Sequence, residues 1–370
     1  MLIPLLIALQ SPAVPRADFA KPAATVPGDF SQIRGVRELP DGRLIVSDRL
    51  EQRVVALRPS GGAQQVIGGI GGGPAEYRYP TGLIATPGDS TILVDEGNSR
   101  IAVIGPDLKI ARAFTLNIPN VGFPMGARGR DALGRYVLQI PQWIHARGPA
   151  KDSAVIVRFD QRRGTVDTIA VVRGSTPPPH PEYSPQPRIP MVVFAAQDGW
   201  TVARDGYVAI VRSGDYHVEW IAPDGKVTRG RAVPTTTVAV TPEERHAYTK
   251  RFSERSGIGG KGPNGPVPAS ATELAESEIK VMVEATTWAE KKGPFTDAAP
   301  IAGLDGSLWV ERSLPFGSPV EYDVFDRTGS RVRTVRLQAK RRLAAVGART
   351  AYVIYEDADG LEHLELYTLP

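Results

Sequence analysis

Cysteine is absent from the 370-residue chain. That absence excludes disulfides, cysteine-ligated zinc or iron–sulfur centres, a thiol nucleophile and lipid anchoring through cysteine. Long hydrophobic runs are also absent. The N-terminal run Leu2–Leu9 is well short of the roughly 20 residues that cross a bilayer. Nucleotide-cradling loops are missing as well. The glycines of 68–73 lack the G-x-G-x-x-G spacing and no βαβ unit surrounds them, and Gly259-Gly260-Lys261 has no following Ser or Thr. No G-x-S-x-G nucleophile elbow occurs. Charge of neither sign dominates, with 44 basic against 40 acidic residues. The basic residues are scattered, whereas a nucleic-acid binder gathers them into a patch.

What is present is apolar and turn-rich. Hydrophobic residues make up 42%, enough for a core, and 38 glycines with 33 prolines mark many turns. Residues 1–13 read as a secretory signal: an apolar run followed by Ser11 and Ala13, small residues that suit a signal-peptidase site. The mature chain, 14–370, is then extracytoplasmic, periplasmic or secreted, with no membrane span.

The strongest signal is repetition. Short apolar strands flank Asp-Gly-type turns, as at Asp41-Gly42, Asp205-Gly206 and Asp305-Gly306. Only Gly and Asx residues tolerate the positive φ of such hairpins. Six copies recur at a period of about 40–50 residues, the spacing of β-propeller blades. A pair of β-sandwiches explains so regular a period poorly. The sixth copy has three strands, so Asp18–Val26 is expected to pair beside Leu364–Tyr367 and close the ring. The fold class expected is all-β, a six-bladed β-propeller with N-terminal strand closure.

The second copy, from Gly71-Gly72-Gly73-Pro74-Ala75-Glu76-Tyr77 through Pro80-Thr81-Gly82-Leu83 to Val94-Asp95-Glu96-Gly97-Asn98-Ser99-Arg100-Ile101, resembles the NHL repeat. The whole layout resembles bacterial secreted six-bladed propellers of that type. The resemblance implies a fold and little chemistry, since such propellers bind proteins or RNA or act as metal-dependent lyases.

In each blade the first-to-second and third-to-fourth turns share one face, and here they are short. The long connections, 139–153, 174–199 and 235–296, all fall on the other face. Drifting insertions would not choose a face. The insertion 235–296 should carry two helices between blades four and five. Thr241-Pro242-Glu243-Glu244 is a capping box for a helix to about Ser253. Ser270-Ala271-Thr272-Glu273 is a second box for a helix to about Glu290, with Leu274, Ile279, Met282, Val283 and Trp288 as its apolar stripe. Gly257–Pro268 between them reads as a hinge whose deletion should leave the propeller folded. This insertion is either a lid or a structural cap.

On the loop-bearing face, Trp143, His145, Arg212, Tyr216, His217, Glu311 and Arg312 combine polar and aromatic groups and are the candidate binding residues. Arg212 and Glu311 end equivalent strands and are expected to face the central depression, pairing or holding a ligand between them. Asp48 and Asp95 are expected to cap turns. The run Arg331 to Arg342 reads as an outer strand with a solvated basic face. No catalytic residue is assigned and the reading leans away from an enzyme. The ligand expected is a protein, peptide or glycan, with no nucleic acid and no cofactor, on a monomer. The alternative is a metal-dependent lyase or lactonase with Ca or Zn, for which His145, His180 and His217 could approach one mouth.

Overall fold

The computed structural model describes residues 14–86, 89–119, 121, 126–141, 153–174, 192–256, 261–262, 265–266 and 275–370. The signal segment, Trp143, His145, His180 and most of the hinge lie outside the described residues.

Six antiparallel sheets are arranged as blades. Blade one is Ile33–Glu38, Leu44–Asp48, Arg53–Leu57 and Gln65–Val66. Blade two is Pro80–Ala85, Thr91–Asp95, Arg100–Ile104 and Ile110–Phe114. Blade three is Gly129–Arg130, Tyr136–Pro141, Ala154–Asp160 and Thr165–Val172. Blade four is Gly199–Val202, Val208–Arg212, His217–Ile221 and Val227–Arg229. Blade five is Ile301–Ala302, Leu308–Glu311, Glu321–Phe325 and Arg331–Leu337. Blade six is Arg341–Val346, Thr350–Glu356 and Glu362–Thr368, completed by Ala24–Thr25. The first strand of each blade touches that of the next, from one to six and back to one, so the ring is closed.

The core is a set of six apolar wedges, one between each pair of neighbouring blades. Side chains alternate across a strand. In Val208–Arg212, Val208 and Ile210 enter the wedge with blade three, while Ala209 and Val211 enter the wedge with blade five. Both faces of a middle strand are therefore buried, which is why these strands read as unbroken apolar runs. The hairpins need left-handed backbone where Gly stands: φ is +83° at Gly206 and +87° at Gly306.

The N-terminal segment does more than close the ring. Ala24 pairs with Leu366 and Thr25 with Glu365, as the three-strand sixth copy requires. Before that, Arg16–Phe19 runs parallel to the outer strand of blade five, with Arg16 opposite Thr334 and Phe19 opposite Leu337. Phe19 is buried and stacks on Tyr367 at 4.8 Å. One segment thus straps blades five and six together.

The helical insertion leaves blade four after Arg229. Helix α1 spans Pro242–Ser256, and Thr241 Oγ1 accepts the Glu244 N–H at 3.2 Å. Helix α2 spans only Glu276–Ala285. It starts at Ala275, whose N–H donates to Glu278 at 2.9 Å; the expected box Ser270–Glu273 lies outside the described residues. It stops early because Thr287–Trp288 is taken by a parallel pairing with Val192–Val193 of the preceding long crossing. Trp288 then packs with Phe194 and Tyr248. The two long crossings are therefore knitted into one cap.

Candidate functional site

In blades one, two and four the second-to-third turn begins from a charged residue, Asp48, Asp95 or Arg212, and the same turn geometry recurs. Gln52, Ser99 and Tyr216 all have left-handed φ (48°, 49° and 45°) immediately before the third strands of blades one, two and four. In blades one and two the preceding acid caps the turn. Asp48 accepts backbone N–H groups from Ser31, Gln32 and Glu51, and Asp95 accepts from Arg78 N–H, Asn98 and Arg100. Blade four reverses the pattern, with Arg212 where the acids stand.

Arg212 does not reach Glu311. Its guanidinium donates to Glu219 (2.8 Å), Asp198 (3.0 Å) and the Val171 carbonyl (2.7 Å). Burial opposes its charge, but the hydrogen bonds to Asp198 and Glu219 outweigh this and raise its pKa. His217 is buried between Asp215, on Nδ1, and Glu219, 3.2 Å from Nε2. Burial would raise the Glu219 carboxyl, yet His217 and Arg212 bring it below its ordinary value. The expected pairing across the rim therefore gives way to a network within blade four, because Asp198 and Glu219 are the nearer carboxylates. Glu311 accepts a hydrogen bond from Tyr322 at 3.1 Å, and burial raises its pKa.

Tyr216 and Arg312 do come together. Tyr216 is buried and donates its hydroxyl to Asp323 of blade five at 2.9 Å. Burial, then the Asp323 charge, push this phenol well above its ordinary pKa, so it stays a donor. Asp323 is fully buried and also accepts from Thr334 (2.9 Å) and Arg331 (3.3 Å). Arg312 donates Nη1 to Glu321 at 2.9 Å, with Nε 3.6 Å from Asp323. Glu321 also pairs with Arg16 of the N-terminal strap.

Above this cluster lies a cavity of about 390 Å³ at the junction of blades four and five. Its floor is Tyr216, Arg312 and Asp323. Its walls come from the crossing segment (Thr235, Thr236, Val238) and from the loop after Arg312. Phe316, at 51% exposure, stands at its rim. No first strand of either blade lines it, so it sits off the ring axis and not in the central depression. Behind it, Lys292 pairs with Glu244 of α1 and donates to the Leu314 carbonyl at 2.7 Å. The cap is thereby tied to the cavity wall.

Of the residues singled out from the sequence, Tyr216 and Arg312 line the cavity, Arg212 and His217 form the neighbouring network, Glu311 stands apart, and Trp143 and His145 are not among the described residues. Asp323, Glu321 and Phe316 escaped notice. A signal existed: Glu321-Tyr322-Asp323 puts two acids into a strand whose faces should both be buried. Among the described residues no three His, Asp or Glu side chains are placed to hold a metal ion. Among them, too, no helix is long and apolar enough to cross a membrane.

No family model and no curated protein matches the chain. Solved structures do. A candidate exported protein from Bacteroides fragilis is 10% identical with a TM-score of 0.51, covering 96% of this chain and 99% of its own. A member of the duf4221 family from Bacteroides vulgatus is 10% identical with a TM-score of 0.51, covering 93% and 96%. Virginiamycin B lyase from Staphylococcus aureus is 14% identical with a TM-score of 0.42, covering 92% and 83%. At such identities the likeness is one of fold, and the chain is a six-bladed β-propeller.

Proposed function

We propose that this chain is an extracytoplasmic propeller scaffold that binds a protein, peptide or glycan ligand on its loop-bearing face, seated in the cavity between blades four and five. The observation that carries this reading is the cavity itself. It combines apolar walls with a few convergent polar groups, the composition of a binding site, at a volume within the usual range for ligand pockets. It also lies on the face of the second-to-third turns, beside Tyr216, and the crossing from blade four to blade five builds its wall.

Screening the 14–370 protein against peptide and glycan arrays tests the reading, with Thr236→Trp as the blocking variant. Thr236 is an exposed wall residue, so the bulky side chain fills the cavity without entering a wedge. A ligand whose binding falls at least about tenfold, roughly 1.4 kcal/mol, in Thr236→Trp at unchanged melting temperature supports it. Ligands indifferent to the block, or turnover that depends on added Ca or Zn, count against it. N-terminal sequencing of the exported protein checks processing after Ala13.

A further inference from the structure

One wall of the cavity is a continuous stretch of chain, residues 234–239. It is fixed at both ends. The Val233 N–H donates to the Tyr216 carbonyl at 2.8 Å, and the Val238 carbonyl accepts from the Lys292 N–H at 2.8 Å. Between these anchors Thr235, Thr236 and Thr237 are exposed. Among the described residues their backbone N–H and C=O groups have no partner. Thr235-Thr236-Thr237-Val238 is β-branched throughout, the composition of a strand, and no left-handed residue interrupts it. Unpaired N–H and C=O groups along such a run are what an edge strand offers to another chain.

The rest of the lining narrows the chemistry of that neighbour. Its charged residues are Arg312 and Asp323, with Nε 3.6 Å from the carboxylate, and their charges cancel. A net charge brought in by a ligand would lose water without gaining a counter-charge. Leu314, Pro315 and Phe316 add an apolar surface, with Phe316 exposed at the rim. The open polar groups of the threonine wall are main-chain donors and acceptors alternating along the run. That pattern matches another main chain better than the hydroxyls of a sugar ring.

Resting on the reading of this cavity as the binding site, we propose that its ligand is an uncharged, extended segment of polypeptide that adds as a strand to residues 235–237. Main-chain hydrogen bonds to that run hold the segment, and one of its apolar side chains lies against Leu314, Pro315 and Phe316. Each such bond replaces one to water, so the apolar contact drives binding while the bonds set direction and register. Successive residues of a strand turn their backbone groups to opposite sides. Only every second residue of the ligand therefore bonds to the run, which gives the complex a signature of period two.

Acetylated, amidated pentapeptides built from Ala, Val, Leu, Phe, Ser, Thr, Lys and Glu, arrayed and probed with the 14–370 protein, test this. The tightest binders should carry no net charge, and a consistent preference for either sign overturns the charge argument. The best peptide is then resynthesised in two N-methylated forms, one on its even-numbered residues and one on its odd-numbered residues. In calorimetric titration one form should lose at least about tenfold in affinity, while the other stays within about threefold of the parent. Equal losses in the two forms, or a loss in neither, overturn strand addition. Phe316→Ala should weaken the parent peptide about tenfold, and unchanged affinity overturns the apolar contact. If no peptide binds but a glycan does, and Thr236→Trp blocks it, the cavity reading stands and the strand proposal falls. If peptides bind but ignore Thr236→Trp, or nothing binds, both fall. The N-methyl comparison needs only the wild-type protein, so it decides the matter even where a variant fails to fold.

Discussion

Replacing Phe19 by Ala tests how the ring is held shut. The side chain is 5% exposed, 4.8 Å from the Tyr367 ring centre and 6.1 Å from that of Trp309. It fills the wedge between blades five and six. Burying a phenyl group contributes about 1.5–3 kcal/mol. An aromatic pair adds about 0.5–1.5 kcal/mol. The expected loss is therefore about 2–4.5 kcal/mol, overlapping the range for removing a buried Phe. The strap's other ties are the Arg16–Glu321 pair, the backbone pairing to Arg331–Leu337 and the Gln338 side-chain amide on the Ala20 carbonyl. The Arg336–Asp18 pair is exposed and screened by solvent. The strap should then detach locally while the six wedges persist. Thr334, whose N–H donates to the Pro15 carbonyl at 2.9 Å, reports this directly. Its amide exchange should rise by about a hundredfold, and urea titration should show the lower stability. A stability loss under about 1 kcal/mol, with Thr334 exchange unchanged, would refute the strap as a source of stability.

Three further outcomes follow from buried polar groups. Tyr216→Phe removes one of the donors to fully buried Asp323 and should cost about 1–3 kcal/mol in chemical denaturation; a neutral result would mean that Thr334 and Arg331 satisfy that carboxylate alone. Lys292→Met strands Glu244 without its partner and should cost about 3–5 kcal/mol, seen as faster amide exchange across α1; unchanged exchange there would deny the pair its anchoring role. Glu311→Gln should be more stable than the wild type at neutral pH. Burial raises the Glu311 carboxyl, so its favourable contribution is complete below the ordinary value of 4.5 and is lost as pH rises through the folded value. The advantage of Gln should vanish in acid, and a pH-independent difference between the two proteins would contradict this assignment.

The blades were legible because each is local. Leu44-Ile45-Val46 and Val208-Ala209-Ile210-Val211 sit beside Gly-bearing turns, and a strand-turn-strand unit is written in about 15 consecutive residues. Closure was legible for a related reason, since the sixth copy visibly wants a strand. The cavity was not. Tyr216, Arg312 and Asp323 meet only because two blades pack face to face, and no period links them. The basic run of the fifth and sixth blades misled for the same reason. It looked solvated, yet Arg331 holds Asp323, Arg336 holds Asp18, Arg341 holds Glu365 and Arg342 holds Glu362. Its partners lie up to 318 residues away. Helix α2 was overextended because Thr287 and Trp288 suit a strand when one is offered, and the partner Val192–Val193 belongs to another crossing.

The strap also gives the molecule a mechanical polarity. The hydrogen bonds that complete the last blade join Ala24 to Leu366, across nearly the whole chain, so that pairing closes a far longer loop than any other strand pairing of the blade. Once formed, the ring resists a pull unequally from its two ends. Tension on the N-terminus draws Arg16–Phe19 off an outer edge and then peels Ala24–Thr25 from the next, one short pairing at a time. Tension on the C-terminus instead loads Glu362–Thr368, which is hydrogen-bonded on both sides within its blade. The N-terminal end should therefore yield at low force and in two steps, leaving five blades and most of a sixth standing.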